Sequence, residues 1–166
     1  VRKHVKVEPL RWYYHCDRMG LLVWQDMPNG GVNARWPLDG TELRRAEKEK
    51  VQFDRELDAL IDSRRNQVSI VAWVPFNEAW GQFDSARVTR HIEEKDPGRL
   101  VISASGGNDF GIGHVHDIHQ YPGPRRPPAE TARVAVLGEY GGLGLPLKGH
   151  TWQNEKNWGY RTFKNR

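Results

Sequence analysis

Two short apolar segments, each ending in a glutamate, constrain the fold of this chain most strongly. They are Val71–Glu78 and Val134–Glu139. Apolar runs of this length, bounded by Gly, Pro and polar residues, are typical of strands buried in a parallel sheet. The carboxyl ends of such strands form the ligand-binding face of α/β proteins, so Glu78 and Glu139 are expected to face one pocket. Two carboxylates in one pocket make an acid/base or nucleophile pair.

Other segments alternate between strand and helix patterns. Short apolar runs bounded by turn residues predict strands at Leu21–Asp26, Ile70–Phe76, Leu100–Ser103, Val115–His119 and Val134–Leu137. Helical patterns occur at Leu10–Met19, after the capping-box spacing of Asp39–Glu42, at Asp84–Lys95 and within Thr151–Lys164. The buried face predicted for the helix after Asp39–Glu42 consists of Phe53, Leu57, Leu60 and Ile61.

This alternation indicates the α/β class, with a parallel sheet covered by outer helices. Such a sheet is either doubly wound or closed into a barrel. The 166 residues are too few for a complete (β/α)8 barrel, which needs about 250. The chain lacks both a Gly-x-Gly-x-x-Gly turn after its first strand and a Gly-Lys-Ser/Thr phosphate loop. The sequence therefore does not support the prediction of a nucleotide-binding doubly wound fold.

Composition excludes several classes of protein. Hydrophobic residues make up 37% and charged residues 28% of the chain, which is typical of a globular domain. No apolar stretch approaches the roughly 18–20 residues of a membrane span. The net charge of +4 is spread through mixed sequence, so no nucleic-acid partner is predicted. Cys16 is the only cysteine, which excludes an internal disulfide and a cysteine-rich metal site.

Seven tryptophans are an unusually large number for a chain of 166 residues. Most are expected in the core, and Trp73 is expected there because it lies inside a predicted strand. Flat aromatic faces also stack on the C–H groups of sugars in binding clefts. Trp80, two residues after Glu78, and Trp152 are open to both roles, packing and ligand contact.

Four segments follow one another in a recognisable order. Arg2–His4 ends a strand, Cys16–Val23 leads into the next one, Asn77-Glu78 closes a later strand, and Gly138–Gly141 carries the second glutamate. Together they resemble the catalytic domain of glycoside hydrolase family 2, the group of β-galactosidases, β-glucuronidases and β-mannosidases. The resemblance covers nearly the whole chain. It departs at Gln25–Pro28, where many members carry a glutamate-based segment.

The resemblance implies a retaining β-glycosidase of the β-galactosidase type. Glu78 would be the general acid/base, its pKa raised by apolar neighbours such as Trp80 and by the second carboxylate, and Glu139 would be the nucleophile. Asn77 would hydrogen-bond the 2-hydroxyl of the sugar. The other side chains expected to contact a carbohydrate substrate are His4, Asp26, Trp80, His119, Tyr121 and Trp152.

The histidine-rich segment that begins at His114 allows a second interpretation. Alternation along a strand places His114 and His116 on one face and Asp117 and His119 on the other. A His-x-His metallohydrolase is therefore an alternative class of enzyme. The favoured interpretation needs no metal or cofactor. In it Asp117, His119 and Tyr121 face the pocket, and Tyr121 holds the carboxylate of the nucleophile.

Residues 1–166 are thus predicted to form a truncated (β/α)8 TIM barrel, a partial family 2 catalytic domain. The chain would contain the end of the second barrel strand and strands three to seven. In the full-length protein, β-sandwich domains are expected upstream. Unpaired strand edges would leave the chain alone nearly inactive and prone to self-association. The remaining alternative is a carbohydrate-binding or scaffold fragment without turnover.

Overall fold

The computed structural model describes residues 1–30, 37–153 and 155–164. Within them the helices are α1 (Leu10–Met19), α2 (Glu47–Arg64) and α3 (Ser85–Lys95). The strands are β1 (Arg2–Lys3), β2 (Val23–Asp26), β3 (Ile70–Val74), β4 (Leu100–Val101), β5 (Val115–Gln120), β6 (Val134–Tyr140), β7 (Leu143–Gly144) and β8 (Arg161–Thr162). No helix in this part of the chain is long and apolar enough to cross a membrane. Trp36, one of the seven tryptophans, lies outside the described residues.

Parallel pairing follows the order of the chain. Strands β1, β2, β3 and β4 form one parallel sheet in that order, and β5 pairs in parallel with β6. Backbone hydrogen bonds from His114 N to Val101 O (2.9 Å) and from Gly106 N to Asp117 O (3.1 Å) join the β4 region to the β5 region. The carboxyl ends of six successive strands, β1 to β6, are therefore brought to one side of the molecule.

The main core lies between the first sheet and the three helices. Each helix contributes a buried apolar stripe, which includes Tyr13 and Cys16 of α1 and Val88 and Ile92 of α3. The four α2 residues predicted to share a buried face are all buried. A second, smaller cluster on the other side of the sheet consists of Ala72, Val74, Ile102 and Val115. Both faces of β3 are thus covered, which explains its continuous apolar sequence.

Apart from the start of α2, the elements predicted between Leu10 and Leu137 are confirmed, with ends that differ by at most three residues. The start of α2 was predicted wrongly. Asp39 Oδ1 accepts a hydrogen bond from Thr41 N at 3.0 Å and so closes a local turn, and the helix begins only after Ala46. There the carboxylate of Glu49 accepts a hydrogen bond from Ala46 N at 3.3 Å. An Asx turn and a helix cap use the same acceptor and have the same sequence signature.

The helix predicted within Thr151–Lys164 is also wrong for the described residues. The described residues of this segment form bends and irregular structure followed by β8. Its aromatic residues pack on β-structure, because Tyr160 N donates to Gly142 O at 2.7 Å and the Tyr160 ring stacks on Tyr121 with ring centroids 4.3 Å apart. Contacts distant in sequence therefore override the local helical pattern.

Arg99 ties the loop before β3 to the loop before β4. Its guanidinium donates to the carbonyl oxygens of Ile70, Arg65 and Gln67 and to Asp96 Oδ2, all between 2.6 and 2.9 Å. Asp96 Oδ2 also accepts a hydrogen bond from the buried indole N–H of Trp73 at 2.9 Å. One planar cation thus satisfies several backbone acceptors near the amino ends of two strands.

Replacing Arg99 with alanine is expected to lower the free energy of unfolding by about 2–4 kcal/mol, because three carbonyl groups and a carboxylate lose their donor. Arg99→Lys keeps the charge but not the fork of donors, so we expect an intermediate loss. The urea midpoint of the full-length protein measures the effect, with Arg90→Ala, an exposed position on α3, as the control. Equal midpoints for Arg99→Ala and Arg90→Ala would show that this network does not stabilise the fold.

Candidate active site

Polar side chains from five strands meet beyond the carboxyl ends of the sheet. Arg2 comes from β1, Asp26 ends β2, Asn77 and Glu78 follow β3, and Asp117 and His119 lie on β5. Glu139 lies near the end of β6. The two glutamates predicted to face one pocket lie close together, with an oxygen of each within 4.8 Å of the other. The carboxyl ends of parallel barrel strands lie on the same face of the sheet, which brings residues from strands distant in sequence together.

Arg2 is the central cation of this site. Its Nε and Nη2 donate to the two carboxylate oxygens of Asp26 at 2.9 and 2.8 Å, and Nη2 also donates to Asn77 Oδ1 at 2.8 Å. Its Nη1 donates to Glu139 Oε1. The bidentate bond with Asp26 orients the guanidinium, which in turn orients Asn77 and Glu139.

Asp26 was expected to contact the sugar, but its surroundings give it a different role. Its side chain is 1% exposed, and its oxygens accept from Arg2 and from Val5 N. A carboxylate buried and occupied in this way has no free face for a hydroxyl group of a ligand. Asp26 therefore acts by positioning Arg2.

The carboxylate of Glu139 is held at both oxygens. Oε1 accepts from Arg2, and Oε2 accepts from the phenol of Tyr121. His4 Nε2 lies 3.8 Å from Oε1, and the His4 side chain is half exposed. The phenol of Tyr121 thus contacts the carboxylate it was expected to hold. Burial, together with this hydrogen bond to Glu139, raises the pKa of Tyr121, so the phenol stays a donor.

Glu78 lies in a strained turn directly after β3. Its φ of 48° and the φ of 59° at Ala79 fall in the left-handed region, which is costly for residues with a side chain. The turn is anchored because Glu78 N donates to Ser105 O at 2.8 Å. Oε1 of Glu78 lies 2.9 Å from His119 Nδ1.

The direction of the Glu78 pKa shift differs from the expected one. The hydrogen bond with His119 lowers the pKa of Glu78 and outweighs the burial that would raise it. Trp80, which was expected to supply an apolar neighbour, is 37% exposed at the pocket wall. The histidine that lowers the pKa of Glu78 lies on β5, and the sequence around Glu78 does not indicate it.

Behind His119 lies a buried pair, Ser105 and Asp117. The Ser105 hydroxyl lies 2.6 Å from Asp117 Oδ2 and 2.9 Å from His119 Nε2. Asp117 Oδ1 accepts from Gly138 N at 2.6 Å. Burial raises the pKa of Asp117, and the hydrogen bonds from Ser105 and Gly138 oppose that shift only in part.

Two glycines make room for these side chains. A Cβ at Gly106 would lie 2.3 Å from His119 Cγ, and a Cβ at Gly138 would lie 2.3 Å from the Asp117 carboxylate. Gly106 also has a φ of +61°, which disfavours any other residue. Gly138 therefore permits the close approach of β6 to the buried carboxylate of Asp117 on β5.

The site opens into a cavity of about 630 Å³. Its walls include Glu78, Trp80, His119, Tyr121, Arg125 and Tyr160. Trp152 does not line this cavity and is fully exposed, so the structure does not bring it to the site. The second aromatic wall is instead Tyr160, stacked on Tyr121.

Neither histidine–carboxylate cluster among the described residues has the character of a metal site. Glu78, His119 and Glu139 place one oxygen or nitrogen each within 4.8 Å of one another, but Arg2 and Tyr121 already bind both oxygens of Glu139. A cation there would compete with a guanidinium.

The second cluster, Asp109, His116 and Glu130, is neutralised in the same way. Arg133 donates to both carboxylates with two bonds each. His114 belongs to neither group, and its Nδ1 accepts from Val101 N at 3.0 Å. Among the described residues, His114 and His116 therefore do not come together as the pair of metal ligands that a His-x-His metallohydrolase requires.

Sequence reasoning missed three residues of the site. Arg2 appeared only within the Arg2–His4 segment, although its position at a strand end was a usable signal. Ser105 ends the β4 region, where the parallel bridge between Asn77 and Ser105 places it. Tyr160 reaches the pocket by tertiary packing alone, and no local pattern identifies it.

Comparison with known proteins assigns this arrangement to a family. Residues 7–120 match the family model described as glycosyl hydrolases family 2, TIM barrel domain. The chain belongs to glycosyl hydrolase family 2. Strands β1 to β6, parallel and in chain order, are accordingly part of a (β/α) barrel, as the sequence predicted. The site described above lies at the carboxyl ends of the barrel strands, the usual place of function in this fold.

Individual relatives are glycosidases. A β-mannosidase B of Aspergillus fumigatus is 37% identical over 91 residues, which cover 54% of this chain and 10% of the relative. A β-galactosidase of Halalkalibacterium halodurans is 31% identical over 101 residues, which cover 54% of this chain and 9% of the relative. The matched part of the chain thus spans about a tenth of the length of these relatives.

A solved structure gives a weaker match. The β-glucuronidase of Parabacteroides merdae superposes with a TM-score of 0.44 at 20% identity. The superposition covers 60% of this chain and 13% of that protein.

Proposed function

We propose that the full-length protein hydrolyses terminal β-glycosidic bonds with retention of configuration, with Glu78 as general acid/base and Glu139 as nucleophile. The observation that carries this proposal is the spacing of the two acids. An oxygen of Glu78 and an oxygen of Glu139 lie within 4.8 Å of each other. Retaining glycosidases keep their carboxyl groups about 5–5.5 Å apart, whereas inverting enzymes need about 6.5–9.5 Å for an intervening water.

In the first step, a carboxylate oxygen of Glu139 attacks the anomeric carbon while protonated Glu78 gives its proton to the departing oxygen. Arg2 and Tyr121 hold Glu139 by both oxygens and so fix the direction of attack. In the second step, Glu78 as carboxylate takes a proton from water, and the resulting hydroxide displaces Glu139 from the sugar.

Asn77 is suited to bind the sugar. Its Oδ1 accepts from Arg2, while its buried Nδ2 has no hydrogen-bond partner among the described residues. A buried donor without a partner is costly unless a ligand satisfies it. The 2-hydroxyl of a bound sugar would supply that acceptor. The half-exposed ring of His4 and the exposed face of Trp80 complete the proposed sugar contacts.

The test is the configuration of the first product. Nitrophenyl β-mannosides, β-galactosides and β-glucuronides form the panel, because relatives act on more than one sugar, and proton NMR follows the anomer released from the best substrate. We expect the β anomer first and mutarotation to the α anomer later. Initial release of the α anomer would indicate inversion, and no turnover on any glycoside would favour the non-catalytic alternative.

A further inference from the structure

We propose that Asp117, Ser105 and His119 form a proton relay that stores the proton Glu78 donates and delivers it to Glu78. This inference rests on the proposed role of Glu78 as general acid/base. It concerns two residues, Asp117 and Ser105, that are too deeply buried to touch a substrate. They act through His119 and are therefore positioning residues.

An unbroken chain of hydrogen-bond distances joins the buried carboxyl group to the pocket. Asp117 Oδ2 lies 2.6 Å from Ser105 Oγ, which lies 2.9 Å from His119 Nε2. His119 Nδ1 in turn lies 2.9 Å from Glu78 Oε1. Each link is short enough for a proton to pass between the two atoms it joins. The imidazole carries the chain from one ring nitrogen to the other.

The buried end of this chain has one outlet among the described residues. The Asp117 side chain is 0% exposed, and Ser105 is 0% exposed. Because Asp117 Oδ1 accepts from Gly138 N, a proton on Asp117 resides on Oδ2, the oxygen facing Ser105. Burial raises the pKa of Asp117, which favours storage of the proton there.

Other charged groups face His119 at longer range. Arg2 Nη1 lies 3.4 Å and Glu139 Oε1 lies 3.6 Å from His119 Nε2, and Asp117 Oδ2 lies 4.0 Å from it. The contact with Ser105 is the shortest of these, so Nε2 is paired with the serine. The opposite charges of Arg2 and Glu139 largely offset each other at the ring.

Proton delivery breaks as many bonds to hydrogen as it forms. Ser105 donates to Asp117 while Asp117 is a carboxylate, and protonation of Asp117 reverses this bond. In the storing state, Asp117 therefore donates to Ser105 Oγ, Ser105 donates to His119 Nε2, and His119 Nδ1–H donates to the Glu78 carboxylate. Delivery breaks three bonds: Asp117 O–H, Ser105 O–H and His119 Nδ1–H. It forms three: Ser105 O–H, His119 Nε2–H and Glu78 O–H. One proton has moved from Asp117 to Glu78, and no electrons are transferred.

The relay explains how Glu78 acts as an acid despite its depressed pKa. The hydrogen bond from His119 favours the carboxylate form of Glu78. The proton needed by the leaving group is then kept nearby, on a group that solvent does not reach. When a departing oxygen accepts a proton from Glu78, each proton along the hydrogen bonds from Asp117 to Glu78 moves by one step. Glu78 thereby receives a new proton. After the second step, the proton taken from water returns along the same path.

The first test compares two buried serines in the full-length protein. Ser105→Ala breaks the relay, whereas Ser103→Ala removes another buried hydroxyl, which has no partner among the described residues. For glycosides with poor leaving groups, we expect kcat/KM of Ser105→Ala to fall about 10–100-fold at neutral pH. Dinitrophenyl glycosides, which leave without protonation, should react at nearly the normal rate. Ser103→Ala should match the unmodified protein on both.

The pH profile gives a second readout. kcat/KM falls as pH rises through the pKa of the acid, because Glu78 must be protonated in the first step. Without the relay, Glu78 depends on its own depressed pKa, so the basic limb of Ser105→Ala should move to lower pH. Equal losses for all leaving groups with an unmoved basic limb would overturn the relay and leave only a packing role for Ser105.

Infrared spectroscopy tests the stored proton without reference to activity. A buried protonated carboxyl group should give a C=O stretching band at neutral pH that disappears in Asp117→Asn. Absence of that band in the unmodified protein would overturn the relay even if glycosides are hydrolysed. Absence of turnover in the unmodified protein would instead remove the proposed function, and with it the relay's delivery step, whatever the band shows.

Discussion

Glu139→Gln is expected to lower kcat/KM of the full-length protein about 10⁴-fold or more for every leaving group. The amide cannot attack the anomeric carbon, so no glycosyl-enzyme forms however good the leaving group is. The substitution also removes the negative charge that Arg2 faces across a short contact. The expected defect is therefore in chemistry, with no dependence on the acidity of the released alcohol.

Rapid-mixing measurement of dinitrophenol release provides the readout. The unmodified protein should show a burst followed by a steady rate if deglycosylation is slower, and Glu139→Gln should show neither. Glu56→Gln, an exposed position on α2, is the matched control and should behave as the unmodified protein. A normal burst from Glu139→Gln would show that another group is the nucleophile.

The second large effect is expected at Glu78 and should depend on the leaving group. Glu78→Gln removes protonation of the departing oxygen and activation of water but leaves the nucleophile in place. For poor leaving groups we expect kcat/KM to fall about 10²–10⁴-fold, whereas glycosylation by dinitrophenyl glycosides should be largely spared. Azide needs no general base, so it should restore turnover of these activated substrates and yield a β-glycosyl azide.

These two variants distinguish the roles of two chemically identical side chains. Their environments already differ, because Glu139 is bound by a cation and a phenol, whereas Glu78 is bound by a histidine. Equal loss in both variants on both classes of substrate, without azide rescue, would contradict the assigned roles.

The placement of the two glutamates could be predicted from sequence because it depends on short-range facts. A short apolar run indicates a buried parallel strand, and the residue after that strand lies at the carboxyl edge of the sheet. The same reasoning places Asp117 and His119 on one face of β5, because alternate residues of a strand point the same way, and it places Tyr121 on that side directly after the strand. The contact between Tyr121 and Glu139 follows from that alternation and from the pairing of β5 with β6.

The partners of those residues were harder to predict. Asp26 was expected to contact sugar and instead binds Arg2, and Trp152 was expected near the pocket but is exposed. The pKa of Glu78 is lowered where a rise was expected. For Asp26 and Glu78 the deciding neighbour, Arg2 or His119, belongs to another strand, and the local sequence does not indicate it.

Local sequence is sufficient to indicate the α/β class, the succession of strands and the two carboxylates, because periodicity, chain order and strand ends are local properties. Which charges meet depends on how distant segments pack together. Arg2 lies 137 positions before Glu139 in sequence, yet a direct contact joins them. Ser105 links Asp117 to His119 only because Gly106 and Gly138 let three backbone segments approach closely. Electrostatic and hydrogen-bond energies fall steeply with distance, so the chemistry of this site depends on a packing that no single segment encodes.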